Sequence, residues 1–420
     1  MFILLKPHLL LLLSFLYSYI ISFHTQKRSL FIVKKVCQDF SVDTSGAFIS
    51  PYYIGDPLKH YLFYFDIELS SNELDDTLYN PNHSKSSQPN GKGTIILRNK
   101  EYSTAIYQDN LKFSSGVLEI GSFQFHLIHQ DIQKEGINSI ALSPSVESNR
   151  WISLAFYLRS IGTIERICFG FIGKEENKNY MKGQIYFGGI PNEIITSYKK
   201  ASCSLIRESN VWGCPLNFLR LTLNGVNYSY YNNDGKYPMK FRSVSRYITV
   251  PYDFMLFLNM TMLKTPIEQH QCVYDENQNG DKGIICQCQY VNNLVEDITV
   301  YFKDVKERFY FTGDEMFDFL GDGRCKFVFV VNPKENQWVF GTWFITKFAM
   351  LFDYETKSIE IYGDNILQEG ESKEINNNNQ NNQIKGSSVV KKIIMNWCSL
   401  LMSLMGVGLY YIKYKIKIIL

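Results

Sequence analysis

A mainly β body followed by a single C-terminal membrane helix is the fold class this chain predicts, and three observations predict it. Val, Ile, Tyr, Phe and Thr recur in short runs broken by Gly, Asn and Pro, and aromatic residues make up 15% of the sequence, as β structure prefers. Runs such as Tyr61-Leu62-Phe63-Tyr64-Phe65 and Ile298-Thr299-Val300-Tyr301-Phe302 have strand length, and helical periodicity is confined to Trp151–Ile161 and Asp253–Met262. Near the end, the stretch from Ile393 to Ile412 carries no charge and, at about 1.5 Å per residue, is long enough to cross a bilayer core of roughly 30 Å.

With 420 residues and 45% hydrophobic content, the chain can bury one large core or two ordinary ones, which excludes disorder throughout. Lys plus Arg is 43 against 41 for Asp plus Glu, a formal charge of +2. No basic block tracks a phosphate backbone, so nucleic acid is not an expected partner.

The ends set the compartment. Leu9–Ile21 is apolar, follows Lys6 and His8 and precedes the small Ser22, the layout of a secretory signal peptide with the mature chain starting near Phe23. An N-terminal anchor is the rival, but the stretch is short for a bilayer. At the other end Lys413, Lys415 and Lys417 follow the expected membrane helix and favour a cytoplasmic tail, giving single-pass type I topology with a lumenal or extracellular body. A lipid-anchor signal built on Gly386, Ser387 and Ser388 is the alternative, although its tail ends in lysines. The Asn/Gln/Glu-rich segment from Gln368 to Lys385 has little to bury and reads as a stalk.

Nine cysteines fit that compartment. Cys398 lies in the expected membrane helix, leaving an even number outside, with Cys203, Cys214, Cys272, Cys286, Cys288 and Cys325 as disulfide candidates whose pairing stays open. The Cys286-x-Cys288 pair has no matching ligand set, so no metal and no cofactor is expected. Asn82, Asn227 and Asn259 each begin an N-x-S/T glycosylation sequon.

Several landmarks then occur in a telling order. Ile54-Gly55-Asp56-Pro57 precedes an apolar strand ending at Asp66. The segment Glu135-Gly136-Ile137-Asn138-Ser139-Ile140-Ala141-Leu142-Ser143 follows, and Gly183-Gln184-Ile185-Tyr186-Phe187-Gly188-Gly189-Ile190 comes after it. Further on stand Trp212 and the run Leu219–Gly225. Last comes Trp338-Val339-Phe340-Gly341-Thr342-Trp343-Phe344-Ile345, followed by Phe348, Leu351-Phe352-Asp353 and Ile359. In this order the motifs resemble the pepsin-like aspartic proteases, two-lobed β proteins with a substrate cleft between the lobes. The resemblance divides the chain into a signal segment at 1–22, a leader or short pro-segment at 23–45, a first lobe at 46–195 and a second lobe at 196–367. A linker at 368–390, a membrane helix at 391–412 and a basic tail at 413–420 complete it.

The family's chemistry needs two carboxylates sharing one proton, one from each lobe, each on an Asp-Thr-Gly or Asp-Ser-Gly loop. The glycine lets backbone approach the carboxylate and the hydroxyl ties the two loops together. Here the first loop reads Asp66-Ile67-Glu68-Leu69-Ser70-Ser71, with Ile67 in the hydroxyl position and Glu68 in the glycine position. The second reads Phe241-Arg242-Ser243-Val244-Ser245 and runs on to Pro251, so the resemblance places Arg242 in the aspartate slot and Val244 in the glycine slot. An arginine cannot give up its proton in a protein. Facing Asp66, it is expected to form an ion pair and hold that carboxyl below its usual range. The flap region Ile95–Tyr102 lacks the family's Tyr-Gly-x-Gly glycines, and Tyr102, Ser70 and Ser245 are the candidate cleft residues.

Other residues read more simply. Asp43-Thr44-Ser45-Gly46 imitates a catalytic loop but precedes the Ile-Gly-x-Pro turn and is expected to be a capped turn. His126 and His129 fall on opposite faces of a strand, which speaks against a metal pair. Asp234, in an Asn-Asn-Asp-Gly turn, is an alternative second carboxylate only in a different register. The expected function is a membrane-tethered pepsin-like body that binds peptide or protein in its cleft without cutting it. An active acid endopeptidase of the secretory or endolysosomal pathway, or a structural surface glycoprotein, are the competing expectations.

Overall fold

Alternation of aromatic and polar residues builds the sheets, and the computed structural model places them. It describes residues 35–69, 71–97, 100–116, 118–129, 138–144, 153–177, 180–205, 211–232, 235–277, 280–291, 294–368 and 371. The expected signal segment, the stalk from residue 372, the membrane helix with Cys398, the basic tail, Ser70 and Asp234 lie outside them. Among the described residues no helix is long and apolar enough to cross a membrane.

The largest sheet runs through Lys199–Ser204, Ser358–Gly363, Ala349–Asp353, Cys168–Asn177, Tyr180–Phe187, Val36–Val42, Phe48–Ile54 and Lys59–Asp66, then on to Asn138–Ala141 and the hairpins of the first half. Strands from the C-terminal half thus close the same sheet as strands from the first. Within the segment 23–45, expected as a leader or short pro-segment, Val36–Val42 is a strand of this sheet. Val36–Val42 pairs antiparallel with Tyr180–Phe187 and with Phe48–Ile54. It buries Val36, Gln38, Phe40 and Val42 on one face, because its period-2 pattern fits a half-buried strand.

Three smaller sheets hold the remaining described strands of the second half. One is centred on Leu216–Leu223 and Asp297–Phe302, and one on Cys272–Glu276 and Lys282–Gln287. The third combines Met239–Phe241, Trp338–Phe340, Ile248–Thr249 and Phe329–Val330. Aromatic rings fill the seam between the halves. Phe169 stacks on Phe352 at 4.9 Å, Trp212 meets Phe352 at 5.3 Å and Tyr354 at 5.0 Å, and the Trp212 indole N–H donates to Leu142 O at 2.6 Å. Such edge-to-face and offset contacts add about 0.5 to 1.5 kcal/mol each beyond burial.

Two helices were expected and both occur. Leu154–Ser160 lies within the first. The second begins at Tyr252–Leu258, widens into a π turn at Asn259–Leu263 and continues as Lys264–Glu268. Pro266 cannot donate the N–H that would close an ordinary turn there, which is a physical reason for the widening. Helix Thr342–Lys347 starts at Gly341, where a Cβ would come within 2.4 Å of the carbonyls of Ser245 and Tyr247. The glycine of that C-terminal motif is therefore needed for close approach to the second loop.

Three disulfides form, Cys203–Cys214, Cys272–Cys286 and Cys288–Cys325, so all six candidates pair. The two cysteines of the described body that were not candidates stay unpaired. Cys37 is an exposed thiol and Cys168 a buried one, and burial pushes the Cys168 thiol up to about 12, where it is inert.

Candidate functional site

The first loop leaves the strand Lys59–Asp66, which runs parallel to Asn138–Ala141 with Asp66 opposite Ala141. The second leaves Met239–Phe241, which runs parallel to Trp338–Phe340 with Phe241 opposite Phe340. The flanking parallel strands present both loops at strand ends, side by side. Ser243 joins them: its hydroxyl, fully buried, donates to Phe65 O at 2.6 Å and accepts from the Ile67 N–H at 3.1 Å. Ser243 O also accepts from Phe48 N–H at 3.0 Å. The position reasoned to hold the tying hydroxyl in the second loop therefore does so. In the first loop Ile67 is fully buried and its side chain has no hydroxyl to offer in return, so the tie runs one way.

Asp66 keeps the geometry of a turn carboxylate, accepting the Glu68 N–H at 2.8 Å. Burial pushes its carboxyl up to about 6, and the neighbouring Glu68 charge adds to that. Backbone N–H groups of Glu68 and Leu69 and the Arg242 charge draw it back only in part. The expectation of an Asp66–Arg242 ion pair with a lowered Asp66 pKa is thus corrected. Arg242 is engaged elsewhere, because two other carboxylates reach its planar donor fork.

Arg242 Nη1 and Nη2 donate to the two oxygens of Glu335 at 2.8 and 2.7 Å, a fork-to-fork pair. Arg242 Nε donates to Glu68 Oε2 at 2.5 Å. Lys240 Nζ lies 2.7 Å from Glu68 Oε1 and 3.5 Å from Glu335 Oε1. Two cations and two carboxylates therefore form one neutral cluster across the two loops, with all four side chains between 15% and 24% exposed. Charge-assisted and bidentate bonds of this kind are the strong ones. Burial works against the Arg242 charge, but hydrogen bonds and attraction from Glu335 and Glu68 outweigh it and raise its pKa. The Arg242 bond, against a smaller burial effect, holds Glu335 below the usual carboxylate range.

A second acid lies behind Asp66. Glu73, on Glu73–Asp75 beside His126 of the strand Glu119–Ile128, is 2% exposed, and burial with the Asp66 charge pushes it up to about 8. It comes from the same lobe as Asp66. The second loop offers a guanidinium where the first offers a carboxyl.

The remaining expected site residues fall as follows. Tyr102 is half-buried on Lys100–Phe113, opposite Ile95 of the paired strand Gln88–Leu97. Ser245 anchors backbone, its carbonyl accepting the Thr342 N–H at 2.7 Å. Asp43 accepts Ser45 Oγ at 2.7 Å and Ala47 N–H at 2.8 Å, the capped turn expected of that decoy. His126 is buried with Nδ1 2.6 Å from Thr104 Oγ1, and burial lowers its pKa to about 4. His129 is exposed and pairs with Asp76.

Lys240, Glu335 and Glu73 were missed. Lys240 stands two residues before Arg242, and strand alternation puts both on one face, which was a usable signal. Glu335 is distant in sequence, in the turn where its N–H reaches Asn332 O at 3.1 Å, and no local pattern marks it.

The chain is similar in structure to basic 7S globulin from soybean, with a TM-score of 0.60 and 12% identity over 79% of this chain and 97% of that one. At that identity the likeness speaks to the fold alone. No curated protein matches the sequence. A model of the eukaryotic aspartyl protease family matches residues 61–362, and with most of the chain so covered, on top of the paired strand-end loops, the chain belongs to the eukaryotic aspartyl protease family.

Proposed function

We propose that this family member is a membrane-anchored pseudoprotease of the secretory pathway that binds peptide or protein between its lobes without cutting it. The observation that carries the reading is Arg242, held by Glu335 and Glu68 at the second-lobe loop. A guanidinium cannot share a proton with Asp66 or activate a water, and loss of a positioned acid or base forfeits about 10² to 10⁴ in rate. Two members of the clasp, Arg242 and Glu68, stand in the aspartate slot of the second loop and the glycine slot of the first. Single-pass type I anchoring follows the sequence argument of the uncharged C-terminal stretch and its lysines.

The test is acid and neutral proteolysis of denatured protein substrates by the purified body, with and without a pepsin-type inhibitor, beside enrichment from a peptide library. The expected result is retention of peptides with no cleavage. Inhibitor-sensitive turnover would overturn the reading. The enzyme alternative, an aspartic endopeptidase of the secretory or endolysosomal pathway, draws on one feature, the Asp66 carboxyl pushed into the mildly acidic range. It requires that Asp66→Asn abolish measured turnover.

A further inference from the structure

The helix Tyr252–Leu258 and the π turn that continues it bury one face and turn another apolar face outward. Phe254, Met255 and Leu258 are buried, whereas Tyr252, Leu256 and Met260, spaced four residues apart, are 62%, 44% and 74% exposed. Across from that face, the hairpin of Cys272–Glu276 and Lys282–Gln287 presents Tyr274 at 55% exposure. Between them runs a groove of about 820 Å³ whose lining includes apolar Met255 and Val331 and polar Asp275, Lys282, Asn332 and Asn336. Exposed apolar surface of this kind calls for a covering partner.

Asn259 also lines this groove and opens the sequon Asn259-Met260-Thr261. Its Oδ1 accepts the Tyr274 hydroxyl at 3.1 Å. Glycan attachment uses Nδ2 and leaves Oδ1 an acceptor, so that bond is compatible with modification. A sugar ring has apolar C–H faces and hydroxyl edges, matching tyrosine faces beside amide, carboxylate and lysine side chains. Of the three sequons, Asn82 and Asn227 lie on exposed surface outside this groove.

We propose that Asn259 carries an N-linked glycan whose first sugars lie in this groove and cover Tyr252, Leu256 and Tyr274. The proposal rests on the secretory-pathway reading. Transfer comes from a lipid-diphosphate-linked oligosaccharide: the Asn259 Nδ2–C1 bond forms, the C1–O bond to the diphosphate breaks, the lipid diphosphate leaves with the bonding pair, and one amide proton passes to base. No oxidation or reduction is involved.

The full chain, expressed in secreting eukaryotic cells, would be mapped by glycopeptide mass spectrometry and by hydroxyl-radical footprinting before and after enzymatic glycan removal. Asn259 should be occupied, and labelling of Tyr252, Leu256 and Tyr274 should rise severalfold on removal or in Thr261→Ala. Thr261→Ser, which keeps the sequon, should stay protected. An unmodified Asn259 beside an occupied Asn82 or Asn227 overturns this inference while leaving the compartment intact. Three unmodified sequons overturn both. Occupancy without a change in labelling, or protection of the bare protein by self-association, also overturns it. None of these readouts depends on proteolysis, so failure of the cleft reading is separately visible.

Discussion

The two loops that meet at the centre of this protein have lost opposite halves of the same device. The first keeps its carboxyl, Asp66, but has Ile67 where a tying hydroxyl is expected. The second keeps the hydroxyl, Ser243, bonded to Phe65 O and the Ile67 N–H, but has Arg242 where the acid is expected. The difference separates what holds the loops together from what would do chemistry. A one-way hydroxyl tie suffices for register, since the parallel strand pairs already fix both loops. An acid–base pair has no such redundancy, because it needs both members.

The largest expected effect comes from breaking the second loop's substitute. Arg242→Met would leave Glu68 and Glu335 facing each other with only Lys240 between them. Removing one side of a buried ionic cluster typically costs 3–5 kcal/mol, and the partial exposure here points to about 3 kcal/mol. Urea unfolding at neutral pH reads this directly, and a loss below experimental error would show the clasp to be ornamental. Smaller, at about 2 kcal/mol, is Ser243→Ala, which strands a buried carbonyl and a buried N–H. Thermal melting should show a clear fall, with Ser243→Thr retaining most of the stability.

The acid behind the first loop gives a pH-dependent contrast. Glu73 has its pKa raised on folding from 4.5 to about 8, so the folded state binds its proton more tightly than the unfolded state. Its stabilising contribution is present below about 4.5 and is lost as pH rises through about 8, and Asp66 acts in the same sense as pH rises through about 6. Glu73→Gln should therefore lose less stability than the parent between pH 5 and 8, by on the order of 1 kcal/mol or more. Paired urea midpoints at the two pH values decide it. The smallest expected effect is no change in turnover. Arg242→Asp alone should remain inactive in a peptide-cleavage assay, because Ile67, Glu68 and Val244 still occupy the hydroxyl and glycine positions. Activity is expected only after Ile67→Thr, Glu68→Gly and Val244→Gly are added, and full turnover from the single change would refute this account of the loops.

Much of this was legible in the chain. Period-2 runs announced the strands Lys59–Asp66 and Asp297–Phe302, and the order of short motifs announced the family. Arg242 and Ser243 could be assigned to their slots because they lie next to Phe241 on a recognisable strand. The partner of Arg242 could not be assigned that way. Asp66 was the obvious candidate from the loop alignment, yet Glu335, from a remote turn, takes the two terminal guanidinium nitrogens, Nη1 and Nη2. The cysteines divide likewise. The chain pointed to the six that pair and to an oxidising compartment, but not to the partners, because which thiols meet depends on which strands are neighbours. That Val36–Val42, inside the expected leader, is a sheet strand was not legible, because a strand's membership in a sheet depends on an edge supplied elsewhere, here Tyr180–Phe187.

By itself the sequence determined which side chains exist at the two loops, and hence that one of them presents a permanent cation. Tertiary structure alone decided how that cation is neutralised, since Coulomb attraction and bidentate hydrogen bonding act over a few ångströms of space and take no account of separation along the chain. The same holds for Asp66 and Glu73, whose raised pKa values come from burial that only the assembled core creates.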